Sequence, residues 1–326
     1  MRELKGSCIH QRLSPCYGRS SNLSRRCSKF SARQRLNMRT KLYMPHTLSA
    51  LVSADSLPND RIRTALKEGT LGFGFSAGGF LFNYHLGVLW ELEELGLLKG
   101  HVPLAGASAG SLAIATYQSG VGPETASRAL KELAVECRKG GTMGRLSGLL
   151  RAILNQYLPS DAHERCSGVC HIAVTRLFPY MQREIISHFD TKSDLIDALI
   201  TSCHIPVYAN GSWMIKFRDR YYMDGGVMDF VPSPPETQHV VKVCCFPVHQ
   251  VLNAVQPSIQ GLPRLSSLLD ISLSPDKFEP FHQDFATLFN WAMLPAPDHV
   301  LEWLVEKGRR DASAWAAAVD SKGVIA

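Results

Sequence analysis

One serine of the chain stands in a setting that favours nucleophilic chemistry. Residues 106–110 read Gly-Ala-Ser-Ala-Gly, the G-x-S-x-G pattern of a serine on a sharp turn between a strand and a helix. The glycines leave room where the two backbones approach, and the turn exposes the Ser108 hydroxyl at a helix N-terminus. The helix dipole favours a developing negative charge there, so the pattern predicts a nucleophile. A turn built only of small residues is the structural alternative.

A second glycine turn, at residues 76–80, is a candidate site for binding negative charge. It reads Ser-Ala-Gly-Gly-Phe, follows a short apolar run and opens a helical pattern. Backbone N–H groups at Gly78 and Gly79 would hold either a phosphate or the oxyanion of an acyl-transfer intermediate. A dinucleotide site is disfavoured, because the G-x-G-x-x-G spacing that begins at Gly72 has Ala77 in its last place.

An acidic residue downstream is a candidate base. Asp224 stands before Gly225 and Gly226, a combination typical of a turn, but a serine nucleophile needs a group that takes its proton. The pKa of an ordinary Asp, about 3.9, is too low for this role, so the hypothesis requires burial that raises it. A Ser-Asp-His triad stays open as an alternative, because histidines also follow Ser108. They are His188, His204, His239, His249, His282 and His299.

Two strand-turn-helix units must position these groups. Apolar residues 71–75 and 102–105 predict short strands, each followed by a glycine turn and a helix, which implies a parallel sheet with helices on its faces. From Leu81 to Leu95 apolar residues recur every three or four positions and Asn83 falls on another face, which predicts an amphipathic helix.

The rest of the chain completes an α/β pattern. The run from Val240 to Phe246, apolar except for Lys242, predicts a central strand. Beyond Pro257 helical patterns replace strands, for example at 265–269 and 281–294. We therefore expect a catalytic domain over residues 56–256 and a helical C-terminal extension, residues 257–326, packed on it.

Five stretches of this chain resemble the patatin-like phospholipase family, particularly its adiponutrin-like branch of lipid acyl hydrolases. They are Phe75–Leu81, Tyr84–Val88, Gly106–Ser111, Ser202–Pro206 and Asp224–Gly226. The resemblance covers about residues 71–232, and the combination is far more specific than any single motif. It implies a three-layer α/β/α fold.

The resemblance also implies a Ser-Asp dyad, in which Ser108 is the nucleophile and Asp224 its partner. Backbone N–H groups of Gly78, Gly79 and Ala109 would form the oxyanion hole. The glycines that support these motifs are Gly106, Gly110, Gly225 and Gly226. The implied reaction uses no metal ion and no organic cofactor.

The implied function is lipid degradation by a carboxylic ester hydrolase. The enzyme would cleave fatty-acyl esters of phospholipid, galactolipid or acylglycerol through an acyl-enzyme, with peripheral contact to a membrane or lipid droplet. Ala77 and Phe82 stand where the family pattern has glycine. They motivate an alternative: a weakly active or inactive scaffold that binds lipid or a partner protein.

Charge divides the chain into two parts. The net charge is +6, but residues 1–50 hold 11 of the 35 Lys and Arg and a single acid, Glu3. From residue 51 onward there are 24 basic and 28 acidic residues, a net charge of −4. The folded part therefore lacks the excess of basic residues that is typical of nucleic-acid-binding proteins.

The basic, Ser-rich residues 1–55 predict a transit peptide or a disordered basic segment. A plastid (chloroplast) is the expected destination, with mitochondrial or cytoplasmic location as alternatives.

Overall fold

The computed structural model describes residues 59–98, 102–250 and 270–320. The predicted transit segment, the predicted helix at 265–269 and the expected domain boundary at 256/257 lie outside these ranges. Inside them, no helix is both long and apolar enough to cross a membrane.

Helices and strands alternate in the first half of the described chain, as expected. The helices are α1 (Asn59–Glu68), α2 (Phe82–Glu94), α3 (Ala109–Gln118), α4 (Pro123–Gly140), α5 (Leu146–Tyr157), α6 (Ala162–Cys166), α7 (Lys192–Ser202), α8 (Phe285–Met293) and α9 (Asp298–Asp320). The strands are β1 (Leu71–Phe75), β2 (Leu104–Ala107), β3 (Cys170–Arg176), β4 (Gln182–Ile186), β5 (Ile215–Phe217), β6 (Arg220–Asp224) and β7 (His239–Val243). Short 3-10 turns follow at Gly79–Leu81 and Gly225–Val227.

The strands form one mixed, seven-stranded sheet within the described ranges. Hydrogen bonds join them in the order β5-β6-β3-β2-β1-β7, and β4 also pairs with β3. The pairs β2–β1, β1–β7 and β2–β3 are parallel, as the two predicted strand-turn-helix units require. Helices flank this sheet, which confirms the predicted three-layer α/β/α fold with a helical C-terminal region.

Strand β3 aligns two neighbours end to end along one of its edges. Its antiparallel partner β4 occupies one edge over residues 172–176. The other edge therefore holds both β2, which pairs with residues 170–173, and β6, which pairs with residues 174–176. Since β6 runs antiparallel, the ends of β2 and β6 meet at the middle of β3.

The prediction of a central strand at 240–246 is wrong. Strand β7 covers residues 239–243 and pairs with β1 at the end of the hydrogen-bonded order. Its apolar character has another cause: a later segment covers it, through a bridge between Val243 and Leu273 and a hydrogen bond of 2.9 Å from Cys244 N–H to Leu273 O.

The prediction that α2 is amphipathic is also wrong, because α9 covers its outer face. Every residue from Phe82 to Trp90 is buried. Asn83, expected on another face, donates from its side-chain amide to Leu301 O at 2.7 Å. The two helices approach very closely, since a Cβ on Gly87 would lie 2.1 Å from Val305 O.

A buried polar cluster fastens α9 to α2. Asp311, with no exposed surface, accepts a hydrogen bond of 2.9 Å from the Tyr84 hydroxyl and a further one from Lys307 Nζ, itself only 2% exposed. Burial raises the pKa of Asp311 to about 6, while its Lys307 and Tyr84 partners lower it. The pair is thus a buried charge pair whose carboxylate uses both oxygens.

We predict that Asp311→Ala destabilises the protein by about 3 kcal/mol or more, because it leaves the Lys307 ammonium and the Tyr84 hydroxyl buried without this partner. Urea denaturation of both proteins measures the change in the free energy of unfolding. Lys216→Ala, which breaks an exposed ion pair with Asp219, is the control and should leave the midpoint unchanged. Equal midpoints for all three proteins would contradict a role of the buried pair.

Candidate active site

Ser108 occupies a strained turn between β2 and α3. Its backbone has φ 49° and ψ −118°, a conformation that residues other than glycine rarely adopt. The two flanking positions have no room for a side chain. A Cβ on Gly106 would lie 2.4 Å from the carbonyl carbon of Gly110, and a Cβ on Gly110 would lie 2.4 Å from Phe75 O. The turn therefore has the close backbone approach that the G-x-S-x-G pattern predicts.

Two other serines hold the backbone of Ser108 in place. The Ser108 N–H donates to Ser202 Oγ at 2.9 Å, and the Ser202 hydroxyl donates in turn to Ala173 O at 2.7 Å. The Ser111 hydroxyl donates to Ser108 O at 2.6 Å. Ser202 thus links the strained residue to β3. No local pattern predicts this link, because Ser202 lies 94 residues from Ser108 along the chain.

Asp224 ends strand β6 with its backbone and one carboxylate oxygen fixed. Its N–H donates to His204 O at 2.8 Å, and its carbonyl accepts the Thr175 hydroxyl at 2.8 Å. Carboxylate Oδ1 accepts the Gly226 N–H at 2.8 Å. Oδ2 is buried and accepts no hydrogen bond from the described residues, which leaves it available for a proton.

Burial changes the acid strength of Asp224 in the direction that a base requires. Its exposed fraction is 6%, and burial raises its pKa to about 6. The Ser108 hydroxyl and the Gly226 N–H lower the pKa, so burial dominates. The Ser108 hydroxyl is thus close enough to this carboxylate to lower its pKa, although no hydrogen bond joins the two side chains.

The sheet explains why the two residues meet. Ser108 directly follows Ala107, which pairs with Ala173 of β3, and Asp224 pairs with the next residue, Val174. None of the described histidine rings hydrogen-bonds to Ser108 or Asp224. His204 contributes only its carbonyl, and both of its ring nitrogens lack partners among the described residues. The strand register thus brings Ser108 close to Asp224, and the Ser-Asp dyad itself stays a prediction.

The three predicted oxyanion donors are backbone N–H groups near Ser108. The N–H groups of Gly78, Gly79 and Ala109 donate to no acceptor in the part of the chain that the structure describes. His85 fixes the glycine turn, since its Nε2 lies 3.0 Å from Ser76 O. Burial lowers the pKa of His85 to about 4, so this ring is neutral and donates from Nε2. The oxyanion role of the three N–H groups stays a prediction.

The two departures from the family pattern have different surroundings. Ala77 donates its N–H to Phe230 O at 3.0 Å, and its methyl group packs on Gly226, where a Cβ would lie only 2.7 Å away. It thus packs against the turn that holds Asp224 Oδ1. Phe82 is buried and lines the cavity beside Ser108, so it shapes that cavity.

An apolar cavity leads away from Ser108 between α3, α4 and α5. The space between its lining atoms, counted together with the solvent-filled mouth, is about 870 Å³. Its lining is almost entirely aliphatic or aromatic, with Leu112, Leu130, Leu133, Leu150, Ile153 and Leu154 among the lining residues. Such a cavity suits a hydrocarbon chain, with its reactive end at the serine.

In the described ranges no three His, Cys, Asp or Glu side chains form a group that could hold a metal ion. Cys166 and Cys170, four residues apart, are both buried, and each lies next to the thiol of the other.

Comparison with known proteins places these residues in one family. The family model described as patatin-like phospholipase matches residues 75–235. The human patatin-like phospholipase domain-containing protein 4 is 30% identical over 173 residues, which cover 51% of this chain and 68% of that protein.

Longer human relatives match the same region. The 1-acylglycerol-3-phosphate O-acyltransferase PNPLA3 is 36% identical over 48% of this chain, and patatin-like phospholipase domain-containing protein 2 is 35% identical over 51%. In both cases the aligned part is 34% of the relative, so the chain spans about a third of their length. Among solved structures, VipD from Legionella pneumophila matches with a TM-score of 0.45 and 13% identity, over 77% of this chain and 66% of that one.

We predict that the reactivity of Ser108 rises with pH through an inflection near 6. Asp224 can take a proton only when ionised, so below its raised pKa the rate should fall about tenfold per pH unit. The rate of fluorophosphonate labelling, followed between pH 4 and 9, measures this pH dependence. A second series with added methanol identifies the type of group that titrates. Methanol raises the pKa of a carboxyl group but not that of an imidazolium. An inflection that stays in place or moves down would therefore indicate a histidine instead.

We also predict that Ser202→Ala lowers kcat for a dissolved ester roughly tenfold with little change in KM, because the strained Ser108 backbone loses its partner. Ser202→Thr retains the hydroxyl and should restore part of the rate. Thr201→Val is a matched control, since that buried hydroxyl donates only to Asp197 O within α7. An equal loss in both helix variants would indicate helix stability as the cause.

Proposed function

Because the chain belongs to the patatin-like phospholipase family, we propose that it is a serine lipid acyl hydrolase. It cleaves fatty-acyl esters of glycerolipids through an acyl-enzyme on Ser108. One observation carries this proposal: the Ser108 hydroxyl lies beside a buried carboxylate whose pKa is raised to about 6, at the end of an apolar cavity. This arrangement combines a nucleophile, a base and room for an acyl chain.

The first half of the reaction forms the acyl-enzyme. Asp224 takes the proton of the Ser108 hydroxyl as Oγ attacks the ester carbonyl carbon. The carbonyl oxygen becomes an oxyanion, and the free N–H groups of Gly78, Gly79 and Ala109 stabilise it. When the intermediate collapses, the ester C–O bond breaks and Asp224 returns the proton to the leaving alcohol.

The second half releases the fatty acid. Asp224 takes a proton from a water molecule whose oxygen attacks the acyl carbon. The bond to Oγ then breaks, and the proton passes from Asp224 to Ser108. The enzyme returns to its starting state, and the acyl chain leaves the cavity as a carboxylic acid.

The class of lipid follows from the cavity only in part. Its apolar walls select a hydrocarbon chain, and phospholipid, galactolipid and acylglycerol all supply one. The relatives include proteins named for transacylation as well as phospholipases, among them the human omega-hydroxyceramide transacylase, 32% identical over 48% of this chain. An alcohol in place of water would receive the acyl group by the same steps.

The proposed location is a plastid, with peripheral contact to its membranes. It rests on the basic, Ser-rich composition of residues 1–55 alone, and mitochondrial and cytoplasmic locations are its alternatives. Fusion of residues 1–55 to a fluorescent protein tests the destination directly.

We expect Ser108→Ala to abolish both fluorophosphonate labelling and ester hydrolysis, and Asp224→Asn to lower both by at least about 10²-fold, because it removes the base. Labelling of the purified full chain and release of p-nitrophenol from a medium-chain ester provide the measurement. Asp229→Asn is the matched control, since this carboxylate lies nearby but pairs with Arg183 at 2.9 Å.

Two results would contradict the proposal. Well-folded wild type that is not labelled would favour the alternative, a scaffold that binds lipid or a partner protein. Full activity of Asp224→Asn would show that another group takes the proton. Circular dichroism of each variant establishes that its fold is retained.

A further inference from the structure

Three surface segments without a charged residue surround the cavity beside Ser108. They are residues 141–144, 205–214 and 285–296, and none of them contains Asp, Glu, Lys or Arg. We call these three segments together the mouth rim. Charged residues resume at its borders, for example Arg145, Lys216 and Asp284.

Tyr208 joins the three segments. Its carbonyl accepts the Gly144 N–H at 2.7 Å, and its hydroxyl donates to Met293 O. A further backbone hydrogen bond, from Val207 N–H to Ser212 O at 2.8 Å, closes the loop 205–214 on itself. The mouth rim is therefore one connected surface.

The mouth rim is continuous with the cavity wall. Tyr208 and Ile205 from one segment and Ala292 from another line the cavity. Ala292 also packs against the glycine turn, since a Cβ on Gly79 would lie 2.0 Å from Ala292 O. An apolar path thus runs from the exposed rim to the nucleophile.

Large apolar side chains of the mouth rim point into solvent. They are Met143, Val207, Trp213, Phe285, Phe289 and Leu294. Trp213 is 73% exposed and Phe289 is 53% exposed. A connected surface of this kind, rich in aromatic residues and free of charge, is unusual on a protein that meets only water.

We propose that the mouth rim is a docking face for an uncharged or zwitterionic lipid surface, through which acyl chains enter the cavity. The inference rests on the proposed function, because the cavity that it feeds is taken to be the acyl site. An acyl chain that crosses water exposes every methylene, whereas a rim seated in lipid provides a continuous apolar path. The absence of charge in the rim favours lipid over a charged protein partner.

The test compares vesicle binding of the full chain with that of Trp213→Ser/Phe289→Ser. Sedimentation with phosphatidylcholine vesicles excludes the basic segment 1–50 as the cause of binding, since these vesicles carry no net charge. Both side chains are exposed, so their removal should not disturb folding. We expect at least about tenfold weaker partitioning of the double variant, and wild-type binding that added salt does not weaken.

An exposed aromatic residue outside the mouth rim provides a matched control. Tyr180, 66% exposed in the loop between β3 and β4, stands near Arg176 and Arg183 instead of in an uncharged rim. Tyr180→Ser should bind vesicles as wild type does. Equal losses in both variants, or no loss in the double variant, would overturn the assignment of the docking face.

Hydrolysis of a dissolved short-chain ester separates this inference from the proposed function. We expect equal rates for wild type and the double variant, because the dissolved ester needs no lipid surface. Vesicle binding without any hydrolysis would overturn the proposed function and retain the docking face. Wild type that hydrolyses the ester but does not bind vesicles would overturn the docking face.

The oligomeric state provides a further test of the docking face. Sedimentation that shows a wild-type dimer and a monomeric double variant would overturn the assignment, since a second copy would then cover the mouth rim.

Discussion

The pairing along one edge of β3 is the constraint on which the site depends. Strand β2 runs along the first residues of this edge and β6 comes back along the last ones, so their ends face each other at Ala173 and Val174. Ser108 and Asp224 are the residues at those two ends. Ser202 binds the carbonyl of the same Ala173, and Thr175 binds the carbonyl of Asp224. A shift of either strand by one residue would separate the nucleophile from the carboxylate and turn their side chains to opposite faces.

The same arrangement destabilises the fold locally. The pKa of Asp224 rises from 3.8 to about 6, so ionised Asp224 costs the folded protein about 3 kcal/mol above that pH, and this cost disappears as the pH falls through 6 toward 4. The positive φ of Ser108 adds roughly 1–3 kcal/mol. Both costs are concentrated around one turn and must be offset elsewhere. The closely packed α2 and α9, and the sheet core between them and the other helices, provide that stability.

Local patterns predicted most of what lies between residues 71 and 118. The two strand-turn-helix units, the turn at Ser108 and the glycine turn at 76–80 each follow from a few adjacent residues. Contacts between distant segments could not be predicted in this way. The burial of Asn83 depends on α9, and the role of Ser202 depends on the position of α7. The apolar character of β7, at the end of the sheet order, depends on the later segment that covers it. Asp before two glycines indicates only a turn, so the resemblance to a family is what makes Asp224 a specific prediction.

The partnership of α2 with α9 has a consequence for synthesis on the ribosome. Roughly 200 residues separate the two helices along the chain. At typical elongation rates the nascent chain carries α2 for roughly 10–40 s before α9 is made. During that time the apolar face that holds Gly87 and the side-chain amide of Asn83 lack their partners. The outer face of α2 therefore stays uncovered until nearly the whole described chain has been made, and the glycine turn beside it reaches its final packing only after that.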